Sequence, residues 1–202
     1  MPTTTLRELN GLDRTPASLA AATLVLIDYQ NTYTRGVMEL EGWRSALDSA
    51  ADLLARARAA GAKVVHVVND GGEGTPYDIR ADIGRIHPRV APVEGEPVVV
   101  KRVPDAFVGT DLGDHLDAAG HEDVVVAGFM THMCVAFTAA GAFLRGNRPT
   151  VVADACATRA LRTAVAEVPA EQVHHGALAT VEDLYGIVVP SASSLDRTPS
   201  LD

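Results

Sequence analysis

Three short apolar runs constrain the fold of this chain more than any other feature, because each leads to a group that can ionise. The runs and their groups are Leu24–Ile27 with Asp28, Val98–Val100 with Lys101, and Val124–Gly128, which is followed six residues later by Cys134. A strand that is apolar at successive positions is covered on both faces, as in the parallel sheets of α/β proteins. Ligands bind beyond the carboxyl ends of such strands, so the three groups are expected together at one edge of the sheet.

Strand-like and helix-like segments alternate along the chain, which predicts a parallel sheet with right-handed crossovers. The predicted strands are Leu24–Ile27, Lys63–Val68, Val98–Lys101, Asp123–Gly128, Thr150–Ala153 and Gly186–Val189. The predicted helices are Ser45 to about Gly61, Thr110–Ala119, His132–Arg145 and Ala170–Thr180. The first of these helices is expected to begin with a capping-box-like pair, Ser45 and Asp48.

The chain is expected to form one domain over residues 21–190, with an N-terminal arm over 1–20 and a C-terminal tail over 191–202. The tail is rich in Ser, Pro and Asp and is predicted to be a surface strap or partly disordered. Two long connections, Asn31–Trp43 and Asn69–Pro97, are the expected places for substrate specificity. The arm resembles no secretory signal, and no apolar stretch is long enough for a bilayer, so a cytoplasmic location without membrane contact is expected.

Composition limits the classes of partner. The 202 residues are 47% hydrophobic and 21% charged, which is enough to bury a core without disulfides or metals. A formal net charge of -9 argues against a nucleic-acid partner. The two cysteines, Cys134 and Cys156, are expected to be free thiols in a reducing compartment, with Cys156 a structural one.

The three strand-end groups could form a nucleophilic site, although each has a structural alternative. Cys134 lies in the first turn of a predicted helix, where the macrodipole should make a thiol easier to ionise, but buried structural cysteines are common. Asp28 could be a general base or a turn-capping residue. Lys101 could orient that carboxylate and favour a thiolate, or it could be a solvated strand end.

Several segments together resemble the isochorismatase-like cysteine hydrolase superfamily. The matching motifs, which span nearly the whole chain in the family's order, are Leu-Ile-Asp-Tyr-Gln at 26–30, Lys101 with Ala106-Phe107 and Gly-Thr-Asp-Leu at 109–112, Gly-Phe-Met-Thr-His-Met-Cys-Val at 128–135, and Val-Val-Ala-Asp-Ala-Cys at 151–156. Within the superfamily, the segment at 128–135 is most similar to streptothricin-hydrolase-like members.

The resemblance implies a Rossmann-like three-layer sandwich with a six-stranded parallel sheet. It implies that Cys134 is the nucleophile, Asp28 the base that shuttles protons, and Lys101 their partner. It also implies a cis peptide bond between Phe129 and Met130, which would aim the N–H of Met130, together with that of Cys134, at the substrate oxygen.

Side chains on the connections at this edge are candidates for the walls of a substrate pocket. They are Gln30, Tyr33, Trp43, Phe107 and Thr131, with core packing as an equal alternative for Phe107. His132 could line the pocket or begin its helix, and His174 and His175 are expected on a solvated helix surface.

One departure from the family pattern concerns metals. Nicotinamidases of the superfamily bind a metal through histidines that follow the second strand, whereas residues 69–74 of this chain contain none. Zinc-ligand spacing is absent, and His66 is expected to be a hydrogen-bonded core residue. No metal or cofactor is therefore expected.

These observations lead to three functional hypotheses. The favoured one is a hydrolase that cleaves an amide or lactam C–N bond of a small molecule through a thioester on Cys134. The first alternative is isochorismatase-type hydrolysis of a vinyl ether, for which Asp28 and Lys101 would suffice. The second is a non-catalytic binding protein on the same fold. Family members associate, so a homodimer or homotetramer is expected.

Overall fold

The computed structural model describes residues 3–196, which form six parallel strands with helices on both sides. The strands of the main sheet are β1 (Thr23–Ile27), β2 (Lys63–Asn69), β3 (Val98–Lys101), β4 (Asp123–Gly128), β5 (Arg148–Val152) and β8 (Ile187–Val189), and a small hairpin pairs β6 (Leu161–Arg162) with β7 (Glu167–Val168). The helices are α1 (Leu6–Leu9), α2 (Trp43–Ala59), α3 (Leu112–Asp117), α4 (Ala136–Leu144) and α5 (Ala170–Thr180).

The strand order is β3-β2-β1-β4-β5-β8, and every pairing in the main sheet is parallel. Successive strands proceed outward from β1 in one direction and outward from β4 in the other. The crevice at this reversal, beyond the ends of β1 and β4, is the usual place for a ligand in an open α/β sheet. The predicted α/β class and six-stranded parallel sheet are thus confirmed.

The apolar runs of β1 and β4 are continuous because these central strands are buried on both faces. The edge strand β3 departs from the prediction, since Val98 and Val100 are exposed and only Val99 and Lys101 are buried. In β1, Leu24 and Leu26 pack in the cluster that contains the apolar side of α2. Val25 and Ile27 point the other way, into the cluster formed with α3 and α4. Successive side chains of a strand alternate between faces, so a double-sided core requires an apolar residue at every position.

The start of helix α2 differs from the prediction, because the residue that precedes the helix is a glycine and not a serine. Helix α2 begins at Trp43, two residues before Ser45, and the residue that precedes it is Gly42 in a left-handed conformation (φ 70°). Ser45 therefore lies inside the first turn, where its hydroxyl donates to the Gly42 carbonyl at 2.9 Å. The predicted Ser45–Asp48 capping pair is wrong, because a positive φ at this position suits glycine.

The helix predicted over 132–145 is composed of two parts. A π-helical turn, Thr131–Val135, precedes α4, so the chain around Cys134 is wider than an α-helix. Helix α3 is shorter than predicted, and the β6–β7 hairpin was not predicted, since each of its strands has only two residues.

The described parts of both terminal segments, which begin at Thr3 and end at Asp196, pack on the chain's own surface. The side chain of Arg7 is buried and donates to the carbonyls of Asp13 and Leu184, and the Ala17 N–H donates to Thr150 Oγ1 at 3.0 Å. At the other end, residues 192–195 form a turn that packs with α2. The predicted tail extends further, to 202, and its last six residues lie outside the described range.

An ion-pair cluster at the far end of the sheet yields a stability prediction. Glu96 is almost buried and pairs with Arg58 at 2.7 Å and with His66 Nε2 at 2.9 Å. Burial alone would raise the pKa of Glu96, but hydrogen bonds from Arg58, His66 and the Val93 N–H lower it to about 2. Burial also lowers the pKa of His66, which agrees with its predicted role as a hydrogen-bonded core residue.

Replacing Glu96 with glutamine should lower the free energy of unfolding by about 1–3 kcal/mol at neutral pH, because the buried His66 and the more exposed Arg58 both lose a charged acceptor. The native pKa of Glu96 is depressed, so its stabilisation is present above its usual value of 4.5 and is lost as pH falls toward about 2. Urea unfolding of Glu96→Gln should therefore show a weaker acid dependence than the parent protein. Glu94→Gln, an exposed neighbour, is the control; equal effects of the two changes would contradict this account.

Candidate active site

The structure brings Asp28, Lys101 and Cys134 into direct contact. Lys101 Nζ lies 2.7 Å from Asp28 Oδ2, and it donates to Cys134 Sγ at 3.3 Å. The exposed fractions are 0% for Asp28, 1% for Lys101 and 6% for Cys134. An acid, a cation and a thiol therefore share one nearly closed site, of which the thiol is the most accessible member.

The topology explains why a long side chain is needed at this position. Lys101 ends β3, the edge strand, which is separated from β1 by β2. Neighbouring strands lie about 4.8 Å apart, so the side chain must reach across roughly two strand spacings to contact Asp28. Lys101 is on the sheet face of Val99, the face covered by α3 and α4, and Cys134 packs in the same cluster.

Asp28 leaves β1 with a left-handed backbone (φ 54°), the only non-glycine residue with positive φ among residues 3–196. Its N–H still donates to Val67 of β2 at 2.9 Å, so the strand pairing persists up to the turn. Asp28 Oδ2 forms an ion pair with Lys101 Nζ at 2.7 Å, and no described residue donates a hydrogen bond to Oδ1. Aspartate tolerates the left-handed backbone region better than most residues. Because Oδ1 accepts no hydrogen bond from the described residues, the Asp28 carboxylate keeps a lone pair that can accept a proton.

The electrostatics correct the expected ionisation of the thiol. Burial and the negative charge of Asp28 raise the pKa of Cys134 to about 12, and Lys101 only partly opposes them. Burial also raises the pKa of Asp28, against the effect of Lys101. Burial lowers the pKa of Lys101, but the charges of Asp28 and Cys134 outweigh it and raise the value. These effects favour a protonated thiol in the resting site, which is the opposite direction to the easier ionisation predicted for Cys134.

The turn that carries Cys134 is fixed by contacts on both sides. The predicted cis peptide bond between Phe129 and Met130 is present. Thr131 donates its N–H to the Ala157 carbonyl at 3.0 Å, and its hydroxyl lies 2.9 Å from His174 Nδ1. Thr131 is buried and thus holds the turn in place. His174 is half-buried and bonded here, so the expectation of a solvated His174 is wrong, whereas His175 is exposed.

Two of the predicted pocket residues occupy different environments. Tyr33 is buried with its ring 5.7 Å from that of Phe129 and 5.8 Å from that of Tyr77. Burial and the charge of Asp28 raise its pKa. Trp43 has its ring 6.3 Å from that of His87, and its Nε1 donates to Glu39 Oε1 at 3.2 Å.

The side chain of Gln30 forms hydrogen bonds with the backbone, and the ring of Phe107 packs against other side chains. Gln30 is fully buried, and both of its amide atoms bond to backbone groups, so its side chain has no donor left for a substrate. The Phe107 ring lies 5.3 Å from the Arg145 guanidinium, beside Gly141. Gly141 is seven residues beyond Cys134, which is about 10 Å along a helix. The contacts of Phe107 thus favour the packing alternative.

Sequence reasoning missed two residues at the site. Asn69, the last residue of β2, accepts a hydrogen bond from Lys101 Nζ at 3.5 Å. Tyr77 lies against Tyr33, and its pKa is raised by burial and by the charges of Cys134 and Asp28. Asn69 directly follows the predicted strand Lys63–Val68 at the active edge, and this position is a sequence signal that could have identified it. Tyr77 belongs to the irregular connection, which has no pattern to place it.

Cys156, the second cysteine, is not one of the residues that contact Lys101. Cys156 is buried, donates to the Val152 carbonyl at 3.3 Å and has its pKa raised to about 12 by burial, as expected of a structural thiol. Within residues 3–196, no group of three or more His, Cys, Asp or Glu side chains is arranged to hold a metal ion. The same residues include no helix with both the length and the apolarity needed to cross a membrane.

Comparisons with known proteins agree with this architecture. The isochorismatase domain family matches residues 22–193. A crystal structure of an isochorismatase from Pseudomonas putida superposes with a TM-score of 0.92 at 39% identity, covering 96% of this chain and 99% of that one. Streptothricin hydrolase of Streptomyces noursei is 40% identical over 135 residues, which are 67% of this chain and 49% of that protein. Maleamate amidohydrolase of Pseudomonas putida is 29% identical over 210 residues, covering 93% of this chain and 88% of that protein. The chain therefore belongs to the isochorismatase family of hydrolases.

Proposed function

We propose that this chain is a cysteine-dependent hydrolase that cleaves the C–N bond of a small amide or lactam through a thioester on Cys134. The observation that carries the proposal is the position of Lys101 Nζ, 2.7 Å from Asp28 Oδ2 and 3.3 Å from Cys134 Sγ in a buried site. A thiol in contact with a buried acid and base pair is the arrangement that covalent acyl transfer requires. The similarity to an amidohydrolase and to a hydrolase of streptothricin supports C–N chemistry.

Acylation begins with the neutral thiol. As Cys134 Sγ forms a bond to the substrate carbonyl carbon, its proton moves to Asp28, and the carbonyl π electrons move onto oxygen. The N–H groups of Met130 and Cys134 stabilise this oxyanion. When the tetrahedral adduct collapses, the C–N bond breaks and Asp28 returns the proton to the leaving nitrogen, which leaves a thioester on Cys134.

Deacylation repeats the same proton path with water. Asp28 accepts a proton as the water oxygen attacks the thioester carbon, and collapse breaks the C–S bond. The released sulfur then regains the proton from Asp28. The Lys101 ammonium stabilises whichever neighbour is negative at each stage, which is why one cation contacts both the acid and the sulfur.

A second candidate is hydrolysis of a vinyl ether of the isochorismate type. The raised pKa of Asp28, caused by burial, favours a carboxylic acid that can protonate such a substrate. This chemistry needs no thiol. It is therefore separated from amide hydrolysis by the fate of Cys134 during turnover.

The proposal is tested by intact-mass spectrometry of the protein during turnover of a substrate panel that includes streptothricin, maleamate and isochorismate. Amide hydrolysis predicts a transient mass increase equal to the acyl group, and prior alkylation of Cys134 should prevent both the adduct and the turnover. Turnover of an amide that continues after complete alkylation would reject the thioester. Isochorismate turnover that survives alkylation would favour the vinyl ether reaction.

Cytoplasmic location and self-association as a homodimer or homotetramer are part of the same proposal. The partner is a small molecule, in keeping with a hydrolase whose reactive groups are less than 10% exposed. Light scattering coupled to size-exclusion chromatography measures the assembly. A monomer at micromolar concentration would remove this part of the proposal without affecting the chemistry.

A further inference from the structure

The Lys101 ammonium has three hydrogens and three acceptors around it. Two of the acceptors are Asp28 and Cys134, and the third is Asn69 Oδ1 at 3.5 Å. Asn69 faces Lys101 directly in the register of β2 with β3. A buried lysine side chain loses much of its rotamer freedom, and contacts with its ammonium decide which rotamer it keeps. The Asn69 acceptor on the β2 side therefore limits where the ammonium can lie.

Asn69 is itself held by an unusual contact. Gln30 Oε1 accepts from the Asn69 N–H at 2.9 Å, and Gln30 Nε2 donates to the Asn69 carbonyl at 3.0 Å. The side-chain amide of Gln30 thus pairs with the backbone of Asn69 at the end of β2, as a peptide group of a neighbouring strand would. This replaces the pairing that β2 loses where β1 turns away after Asp28. Gln30 Nε2 also donates to the Gly84 carbonyl at 2.6 Å, which fixes the long connection at the same point.

We propose that Asn69 is a positioning residue, clamped by Gln30, that holds the Lys101 ammonium between Asp28 and Cys134. The role rests on the proposed function, because it acts on the same proton path. Asn69 needs no contact with substrate to perform it. A displacement of a catalytic group by about 1 Å can reduce a rate by about 100-fold, so the contact can influence turnover although it is long.

Two substitutions separate positioning from simple packing. Asn69→Leu keeps the size and removes the acceptor, so kcat should fall by about 10- to 100-fold with little change in KM. Asn69→Asp keeps an acceptor oxygen and adds a negative charge, so it should restore much of kcat at high pH. The added charge disfavours both the Asp28 carboxylate and the Cys134 thiolate, which should move the acidic limb of kcat/KM to higher pH.

A second readout needs no substrate. In a Cys156→Ala background, the pH dependence of iodoacetamide alkylation reports Cys134 alone. We expect the profile of Asn69→Asp to move to higher pH and alkylation of Asn69→Leu to be slower than in the parent. The neighbouring titratable groups are Tyr33 and Tyr77, whose pKa values are raised by burial, so neither changes charge between about pH 5 and 9.

Asn147→Ala is the matched control, because Asn147 also makes one hydrogen bond of 3.5 Å, to the Glu122 carbonyl. It should leave kcat and the alkylation profile unchanged. The inference is overturned if Asn69→Leu retains parental kcat and alkylation, or if both Asn69 variants lose activity equally with unmoved pH profiles. Should the parent protein hydrolyse no amide, the proposed function fails, and the alkylation profiles still decide whether Asn69 positions Lys101.

Discussion

Replacing Cys134 with alanine should abolish amide hydrolysis, with a loss of kcat on the order of 10⁴-fold or more, because no other group can form the acyl intermediate. Fold and stability should change little. The side chain removed is small, and the ammonium that contacted it keeps its ion pair with Asp28 at 2.7 Å. Activity is measured by release of the amine, and folding by circular dichroism and urea titration.

Cys156→Ala is the control for this experiment. Cys156 is also a buried thiol whose pKa is raised to about 12 by burial, but its sulfur bonds to the Val152 carbonyl and not to Lys101. It should keep full activity while losing a comparable amount of packing. Equal activity in the two variants would show that the thiol of Cys134 has no special role and would leave Asp28 as the reactive group.

Replacing Lys101 with methionine should impair both stability and catalysis. It leaves Asp28 buried without a counter-ion, and breaking a buried pair in this way costs about 3–5 kcal/mol. Without the cation, the pKa of Asp28 should rise further, since burial already raises it. An acid whose native pKa is raised loses stability as pH increases through that value, so Lys101→Met should be least stable at high pH and should recover as pH falls. Turnover should drop by at least about 100-fold.

Lys63→Met is the matched control, since Lys63 is the other lysine in the chain and donates from an exposed side chain to the Ala118 carbonyl. Urea unfolding from about pH 5 to 8 measures the stability of both variants. A Lys101→Met protein that is as stable as Lys63→Met at high pH would mean that Asp28 is not an ionised partner in the parent. The role given to Lys101 would then have to be abandoned.

Strand positions and the meeting of three strand ends could be predicted because they depend on repeated local patterns. Leu24–Ile27 had to be buried on both faces, and this alone aligns Asp28 with the other strand ends. The energetic effect of one group on another distant in sequence could not be predicted. The pKa of Cys134 depends on burial and on Asp28, more than 100 residues earlier, and these outweigh the helix-start position from which easier ionisation was expected.

The roles of individual polar side chains were harder still to predict. Gln30 was expected in a substrate pocket because it flanks Asp28 on a connection at the active edge, but its amide bonds to the backbone of β2. His174 was expected in solvent because α5 is a surface helix, but the turn before Cys134 approaches it. In both cases the deciding partner is distant in sequence, so no periodicity could reveal it.

The four residues of β3 alternate between exposed and buried, with Lys101 as the last buried one. A slip of one residue would exchange Lys101 with Val100 and turn the ammonium toward solvent. As an edge strand, β3 has a neighbour on only one side to resist such a slip. A substitution that loosens this short strand, however remote from the substrate, should therefore behave as an active-site mutation in a protein that remains folded.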